Sequence, residues 1–175
     1  GGSSYLTNVG KTMSQGLEAD LHGTVVRNSD WQVRVGGNVT FLDNKVISIN
    51  GDLINQIALS SYGDGSGSYA KAGYAFPVIM GFDFVRDTLG RVIVDRNTGL
   101  PTKDPNLKVL GNAVAKVRLG LDFDIRYKNF NLTGLFEYRG GYDMYFGSGS
   151  DYDWAGTGVQ TTIFNRGRFV FPNSV

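Results

Sequence analysis

Read along the chain, apolar and polar residues alternate with period two in four separate stretches, each about the length of a β-strand. In residues 16–25 the odd positions are Leu17, Ala19, Leu21, Gly23 and Val25, and Glu18, Asp20, His22 and Thr24 fall between them. In residues 31–41, Trp31, Val33, Val35, Gly37, Val39 and Phe41 share one face, while Gln32, Arg34, Gly36, Asn38 and Thr40 share the other. Residues 116–127 set Val117, Leu119, Leu121, Phe123, Ile125 and Tyr127 against Lys116, Arg118, Asp122, Asp124 and Arg126. Residues 130–138 set Phe130, Leu132, Gly134, Phe136 and Tyr138 against Asn131, Thr133 and Glu137, with Arg139 continuing the polar face and Leu135 as the exception. The pattern predicts strands over about 13–27, 31–42, 115–127 and 130–141. Neither the remaining stretches, 43–114 and 142–175, nor any other part of the chain carries a sustained helical period, and both are expected to be long loops.

The turns support this reading. A two-residue loop at Lys128-Asn129 pairs Tyr127 with Phe130, Ile125 with Leu132, Phe123 with Gly134 and Leu121 with Phe136. A three-residue loop at Asn28-Ser29-Asp30 is expected to pair Val25 with Val33, Gly23 with Val35, Ala19 with Val39 and Leu17 with Phe41. Loop length and side-chain parity therefore agree in both hairpins, which a one-residue slip would destroy.

The predicted strands suit the wall of a membrane barrel. About 10 residues at roughly 3.4 Å each, tilted near 40°, cover the ~25 Å apolar band of an outer-membrane barrel. Short turns alternate with long connections, and aromatics flank the apolar faces: Trp31, Tyr127 and Phe130 by the turns, Phe41 and Tyr138 by the loops. The expected fold is all-β: an antiparallel transmembrane β-barrel fragment of two hairpins with long extracellular loops. Four strands cannot close, and unpaired edges in hydrocarbon are prohibitive, so further strands are required. The ending at Asn173-Ser174-Val175 reads as a loop, and the stretch is expected to be internal to a longer chain.

Composition narrows the chemistry. Gly is 25 of 175 residues, about twice the usual share. Net charge is +1 with both signs interspersed, so there is no electrostatic case for nucleic acid. Cys is absent, and His22 is the single histidine, which leaves no set of ligands for a structural zinc and no cysteine nucleophile. The chain is expected to be non-enzymatic, with no cofactor. No run approaches the apolar length of a transmembrane helix, and the first residues do not form a signal peptide.

An ordered set of short motifs resembles the C-terminal part of the barrel in SusC/RagA-like TonB-dependent outer-membrane transporters. Asn8-Val9-Gly10 with Gly16-Leu17-Glu18 is similar to a family strand start. Gly81-Phe82-Asp83-Phe84-Val85-Arg86-Asp87, Gly99-Leu100-Pro101 and Lys103-Asp104-Pro105 resemble its long extracellular loop. Val109-Leu110-Gly111-Asn112-Ala113, Leu119-Gly120-Leu121 and Tyr127-Lys128-Asn129-Phe130 match the loop return and hairpin, and Arg139-Gly140-Gly141, Asn165-Arg166 and Phe169-Val170-Phe171-Pro172 extend the match. Ala115 departs from it, standing where the family commonly has Pro. The resemblance implies a barrel of roughly 22 strands around a plug. It further implies import of bulky nutrients such as glycans or peptides, a SusD-like surface lipoprotein as partner, coupling to TonB, and the outer-membrane lipid as surroundings. The plug has no counterpart in this stretch.

Within that frame, Glu18, Asp20, Arg34, Asn38, Arg118, Asp122, Asp124, Glu137 and Arg139 are candidates for a polar substrate path. The competing reading is cross-strand ion pairing. Arg118 is expected to face Arg139, so acidic partners would have to come from elsewhere. Tyr142, Tyr145, Tyr152 and Trp154 are candidates for loop binding, against a role in packing the loops on one another, as are Tyr62, Tyr69 and Tyr74. Asp64, Asp87, Asp95, Asp151 and Asp153 do not have the spacing of a calcium loop and read as solvated turns. The sequons at Asn38 and Asn131 fall inside predicted strands. Two further readings stay open: a transporter-like barrel serving as a scaffold in an assembly or secretion complex, and a soluble glycan-binding β-sandwich.

Overall fold

A computed structural model describes residues 10–63, 65–163, 167, 170 and 173–175; Asn8, Val9, Asp64, Asn165, Arg166, Phe169, Phe171 and Pro172, named above, lie outside the described residues. Among the described residues the chain is all-β apart from two short α-helices and one 3-10 turn at Asn50–Asp52. Its strands are β1 (Gly10–Arg27), β2 (Trp31–Ile49), β3 (Gln56–Ser61), β4 (Gly67–Lys71), β5 (Val78–Gly81), β6 (Lys108–Asn112), β7 (Val117–Tyr127) and β8 (Phe130–Gly140). The helices are α1 (Gly149–Trp154) and α2 (Gln160–Ile163). The strands make two four-stranded antiparallel sheets, ordered β1-β2-β7-β8 and β3-β4-β5-β6.

The first sheet is a meander of the two predicted hairpins, joined by a β2–β7 ladder that pairs Val39 with Leu119, Val35 with Phe123 and Trp31 with Tyr127. The β7–β8 pairs follow the expected register throughout. Lys128 takes a left-handed backbone, φ 51, as primed two-residue turns require. The β1–β2 hairpin differs at one place. Val26, not Val25, pairs with Val33, and the register shifts between Thr24 and Val26. At its turn the Asn28 carboxamide oxygen accepts from the backbone N–H groups of Asp30, at 3.0 Å, and Trp31, at 2.8 Å. That turn leaves the strands one residue out of the expected register, and the bulge at Val25 restores it, so that Gly23–Val35, Ala19–Val39 and Leu17–Phe41 pair as expected.

The connections are more structured than the alternation indicated. β1 begins at Gly10 and β2 continues to Ile49. The stretch expected as one long loop holds the whole second sheet, with a small three-way ladder in the connection between β5 and β6. In that ladder Val85 N–H donates to Thr102, Ile93 N–H to Val85 and Thr102 N–H to Ile93. The stretch after β8 carries α1 and α2 where no helix was expected; each is a turn or so long, too short to show a period.

The buried core lies in and around the second sheet. Val46 and Ile49, at 1% and 2% exposure, pack with Ala70, and Val78, Ile79 and Met80 are buried along β5. The first sheet has no such core: on its apolar face Leu21 is 81% exposed, Phe136 61% and Leu119 43%. The edges of β1 and β8 have no ladder partner among the described residues, and no closed barrel is formed.

Because only the second sheet is buried by protein, Met80→Ala is expected to loosen it by about 2–5 kcal/mol, the cost of truncating a buried Met. Amide exchange should speed up along β4 and β5 and stay unchanged along β7 and β8; equal acceleration in both sheets would contradict this division.

Candidate functional site

Alternation places every charged candidate on one face of the first sheet, and the ladders sort them into rows that cross all four strands. Glu18, Thr40, Arg118 and Arg139 form one row; Asp20, Asn38, Gly120 and Glu137 the next. His22, Gly36, Asp122 and Leu135 follow, then Thr24, Arg34, Asp124 and Thr133. The nine path candidates therefore share one surface. Leu135, the exception in the alternation, stands exposed among them.

His22 is the centre of the surface, a place its sequence context did not mark. From β1 its Nδ1 lies 2.8 Å from Asp20 Oδ1 in the same strand. Its Nε2 lies 2.9 Å from Asp122 Oδ1 on β7, so the imidazole reaches across β2. Gly36 of β2 occupies the place between them, and a Cβ there would strike the His22 ring. The absence of a side chain at Gly36 is thus what lets His22 join two carboxylates two strands apart. Glycine at a polar-face position of a strand was the available signal for such a crossing. Gly120 has a similar role one row away: a Cβ there would lie 2.7 Å from the Asn38 amide nitrogen. Among the described residues, no group of three or more His, Asp or Glu is arranged to hold a metal ion.

Arg118 does pair with Arg139, as the register required. The acidic partner is in the same strand, however. Arg139 donates through Nε to Glu137 Oε1 at 2.6 Å and through Nη2 to Oε2 at 3.0 Å. This two-pronged contact turns one guanidinium aside along β8 and leaves Arg118 facing Glu18 and Thr40 in its row. Arg34 and Asp124 are direct cross-strand neighbours. Opposite charges in neighbouring positions support the sheet as well as polarising the surface.

The loop aromatics do not form one platform. Tyr145 stacks on Tyr62 with ring centroids 4.3 Å apart, and Tyr152 stacks on Phe146 at 5.9 Å. The Tyr62 hydroxyl also lies 2.8 Å from Ser68 Oγ, and the Tyr69 hydroxyl donates to the Gly65 carbonyl. These rings pack the loop segments on one another. Tyr142 is exposed, and Trp154, at the end of α1, is 91% exposed.

Asp87 and Asp95 are turn locks. Asp95 Oδ1 accepts from the backbone N–H groups of Asn97, at 2.8 Å, and Thr98, at 2.9 Å. Asp87 Oδ1 accepts from those of Leu89 and Arg91. Asp151 lies in the first turn of α1, and Asp153 in the same helix. The Thr98 and Asn97 amides hold the Asp95 carboxyl below its ordinary range, and the Arg91 amide does the same for Asp87. Asp83 is lowered by the Arg86 guanidinium and Asp104 by the Lys108 ammonium.

No protein-family model matches the chain, and no curated protein matches it. Solved structures share its fold, RagAB chains among them. The chain aligns with one described as the RagAB peptide transporter at TM-score 0.54 and 18% identity over 77% of its length. It aligns with another, the RagAB peptide importer in an open-open state, at TM-score 0.54 and 17% identity over 77% of its length. It spans only 16% and 15% of those two chains. The likeness is one of fold, at identities too low to carry residue roles across.

A carboxyl held below its unfolded value contributes stability above that value and loses it as pH falls. The turns at Asp87 and Asp95 are therefore expected to be intact above the ordinary carboxylate value of 3.8 and to open progressively below it. Amide protection at Asn97 and Thr98, corrected for intrinsic exchange, should disappear on acidification and should already be lost at neutral pH in Asp95→Ala. Protection that persists in that variant would remove the turn-lock assignment.

Proposed function

We propose that this chain is part of the wall of an outer-membrane, TonB-dependent importer of bulky hydrophilic nutrients, glycans or peptides, that acts with a SusD-like surface lipoprotein. The observation that carries the reading is the uncovered apolar face of the first sheet. Leu17, Leu21, Val35, Phe41, Leu119, Leu121, Phe130, Leu132 and Phe136 are all exposed on it. Monomeric soluble proteins rarely expose a contiguous apolar surface of that kind. A soluble sandwich would lay a second layer over it, and the second sheet packs elsewhere, against the end of β2.

Lipid is the cover that fits. β7 and β8 have 11 residues each, enough when tilted for the apolar band of an outer-membrane barrel. Trp31 and Tyr127 meet at 4.4 Å beside the short turns, with Lys128 Nζ 5.3 Å from the Tyr127 ring centroid, an aromatic and cationic edge suited to a lipid headgroup boundary. Among the described residues no helix is long and apolar enough to cross a membrane, so crossing falls to strands. The fold shared with RagAB chains supports the transporter reading. In it, further strands of the same barrel pair with the edges of β1 and β8, a plug faces the charged rows, and TonB acts on the plug. Glu18, Asp20, Arg34, Asn38, Arg118, Asp122, Asp124, Glu137 and Arg139 then line the polar path, while exposed Tyr142 and Trp154 are available for contact outside the barrel.

The decisive contrast is between neighbours on opposite faces. In the full-length chain, Leu121→Arg would place a cation mid-band against lipid and is expected to cost about 2–4 kcal/mol of barrel stability. Asp122→Asn, one residue away, should leave the barrel nearly as stable. Unfolding in lipid bilayers with a denaturant series would measure both, and a Leu121→Arg variant as stable as the parent sinks the membrane reading.

A further inference from the structure

We propose that the second sheet, β3–β6, is a fixed restriction folded inward over the barrel mouth, setting the size of solute that reaches the charged rows. This rests on the transporter reading above and adds to it a direction and an anchor.

The direction follows from register at the far end of β2. Even-numbered residues of β2 up to Val46 continue the charged face. Ile47 is then skipped: Lys11 pairs with Ser48 but Thr12 with Val46. The extra residue reverses the parity, so Ile49, paired with Gly10, lies on the same side as Val46. Without that bulge Val46 and Ile49 would point to opposite faces. With it, both point to the charged side, and there they meet the second sheet. Val46, Ile49 and Ala70 form a buried cluster, and Gly10, Thr12, Ile57 and Phe76 join them around a cavity of about 200 Å³.

The anchor is polar as well as apolar. Asn44, also on the charged side, donates through its amide nitrogen to the Phe76 carbonyl at 2.6 Å and accepts from the Phe76 N–H at 3.3 Å. The Val46 N–H donates to the Tyr74 carbonyl, and the Val46 carbonyl accepts from Gly73 N–H, both at 2.8 Å. A segment clipped by backbone bonds, a reciprocal carboxamide contact and a buried apolar cluster is a rigid element. Its position is above the Glu18–Thr40–Arg118 row, just beyond Leu42, whose N–H still donates to Lys116 as the ladder ends. A second tie comes from the segment after β8. Asp143 accepts from the Asn112 N–H and donates its own N–H to the Asn112 carbonyl, and Tyr145 stacks on Tyr62 at the end of β3. The sheet is thus held from both flanks of the wall.

The test uses the full-length protein in the outer membrane of intact cells, with a single cysteine at Thr40→Cys and any others replaced by serine. Two water-soluble probes are compared: a small maleimide and a maleimide on a long polyethylene glycol chain. In the parent the small probe should label Thr40→Cys and the bulky one should be excluded. Adding Asn44→Ala or Val46→Ser should raise labelling by the bulky probe about tenfold and leave the small probe's rate unchanged. If either variant fails to reach the membrane, replacing residues 43–115 with a short Gly-Ser turn between the neighbouring Leu42 and Lys116 supplies the same readout. Labelling by the bulky probe at one rate in the parent and the variants, whether fast or absent, overturns the proposal. Leu21→Cys separates this from the underlying reading. If it is shielded from the small maleimide, the membrane assignment stands whatever Thr40→Cys shows; if it labels as fast as Thr40→Cys, the membrane assignment fails and takes the restriction with it.

Discussion

The structure depends on parity. Side chains alternate across a β-strand, so a slip of one residue at any of the three long ladders would move a row of charges into the apolar face and a row of Leu and Phe into the charged one. The β1–β2, β2–β7 and β7–β8 registers all bring like with like, over a span from Leu17 to Tyr138. Where a turn does not deliver the needed register by itself, the chain corrects it. The bulge at Val25 restores the apolar pairing of β1 with β2, and the bulge at Ile47 changes which side the end of β2 presents. Both bulges serve opposite ends of one hairpin: one keeps the wall two-faced, the other turns the loop sheet to one side.

Two kinds of burial follow. The second sheet carries its own apolar core, centred on Val46, Ile49 and the β5 residues Val78, Ile79 and Met80. The first sheet has ladders but no layer upon it, and hydrogen bonding alone contributes little net stability in water. Its apolar surface is left exposed among the described residues. A lipid bilayer covers such a surface with no further protein, provided the sheet's edges are paired, and it penalises any charge on that face and any unpaired strand edge.

On the polar face, small residues decide what large ones can do. His22 joins Asp20 and Asp122 because Gly36 leaves the intervening strand bare, and Asn38 leans into the space at Gly120. Arg139 is held by Glu137 two residues away rather than by a neighbouring strand. Local pairing of this sort consumes part of the charge that a substrate path would offer. Arg118, Arg34, Asp124 and Glu18 complete a mixed surface with no large field of one sign.

The sequence by itself determined the two hairpins, the separation of apolar and charged faces, and the register of β7 with β8, because alternation and turn chemistry are local and have a period of two residues. It also placed Asn38 and Asn131 inside strands and the Arg118–Arg139 pair opposite one another. Only the tertiary structure decided the rest. The β2–β7 ladder joins residues some eighty positions apart, and no local pattern encodes that contact. The sheet β3–β6 is built of strands four to six residues long, shorter than the alternation needs to stand out, and Ala70 is buried there by Val46 and Ile49 of β2. His22 acquired its second partner, Asp122, from a strand a hundred residues away across a glycine gap. In each case the deciding contact lies between segments distant in the chain, where periodicity fixes which way a side chain points and only folding chooses what it meets.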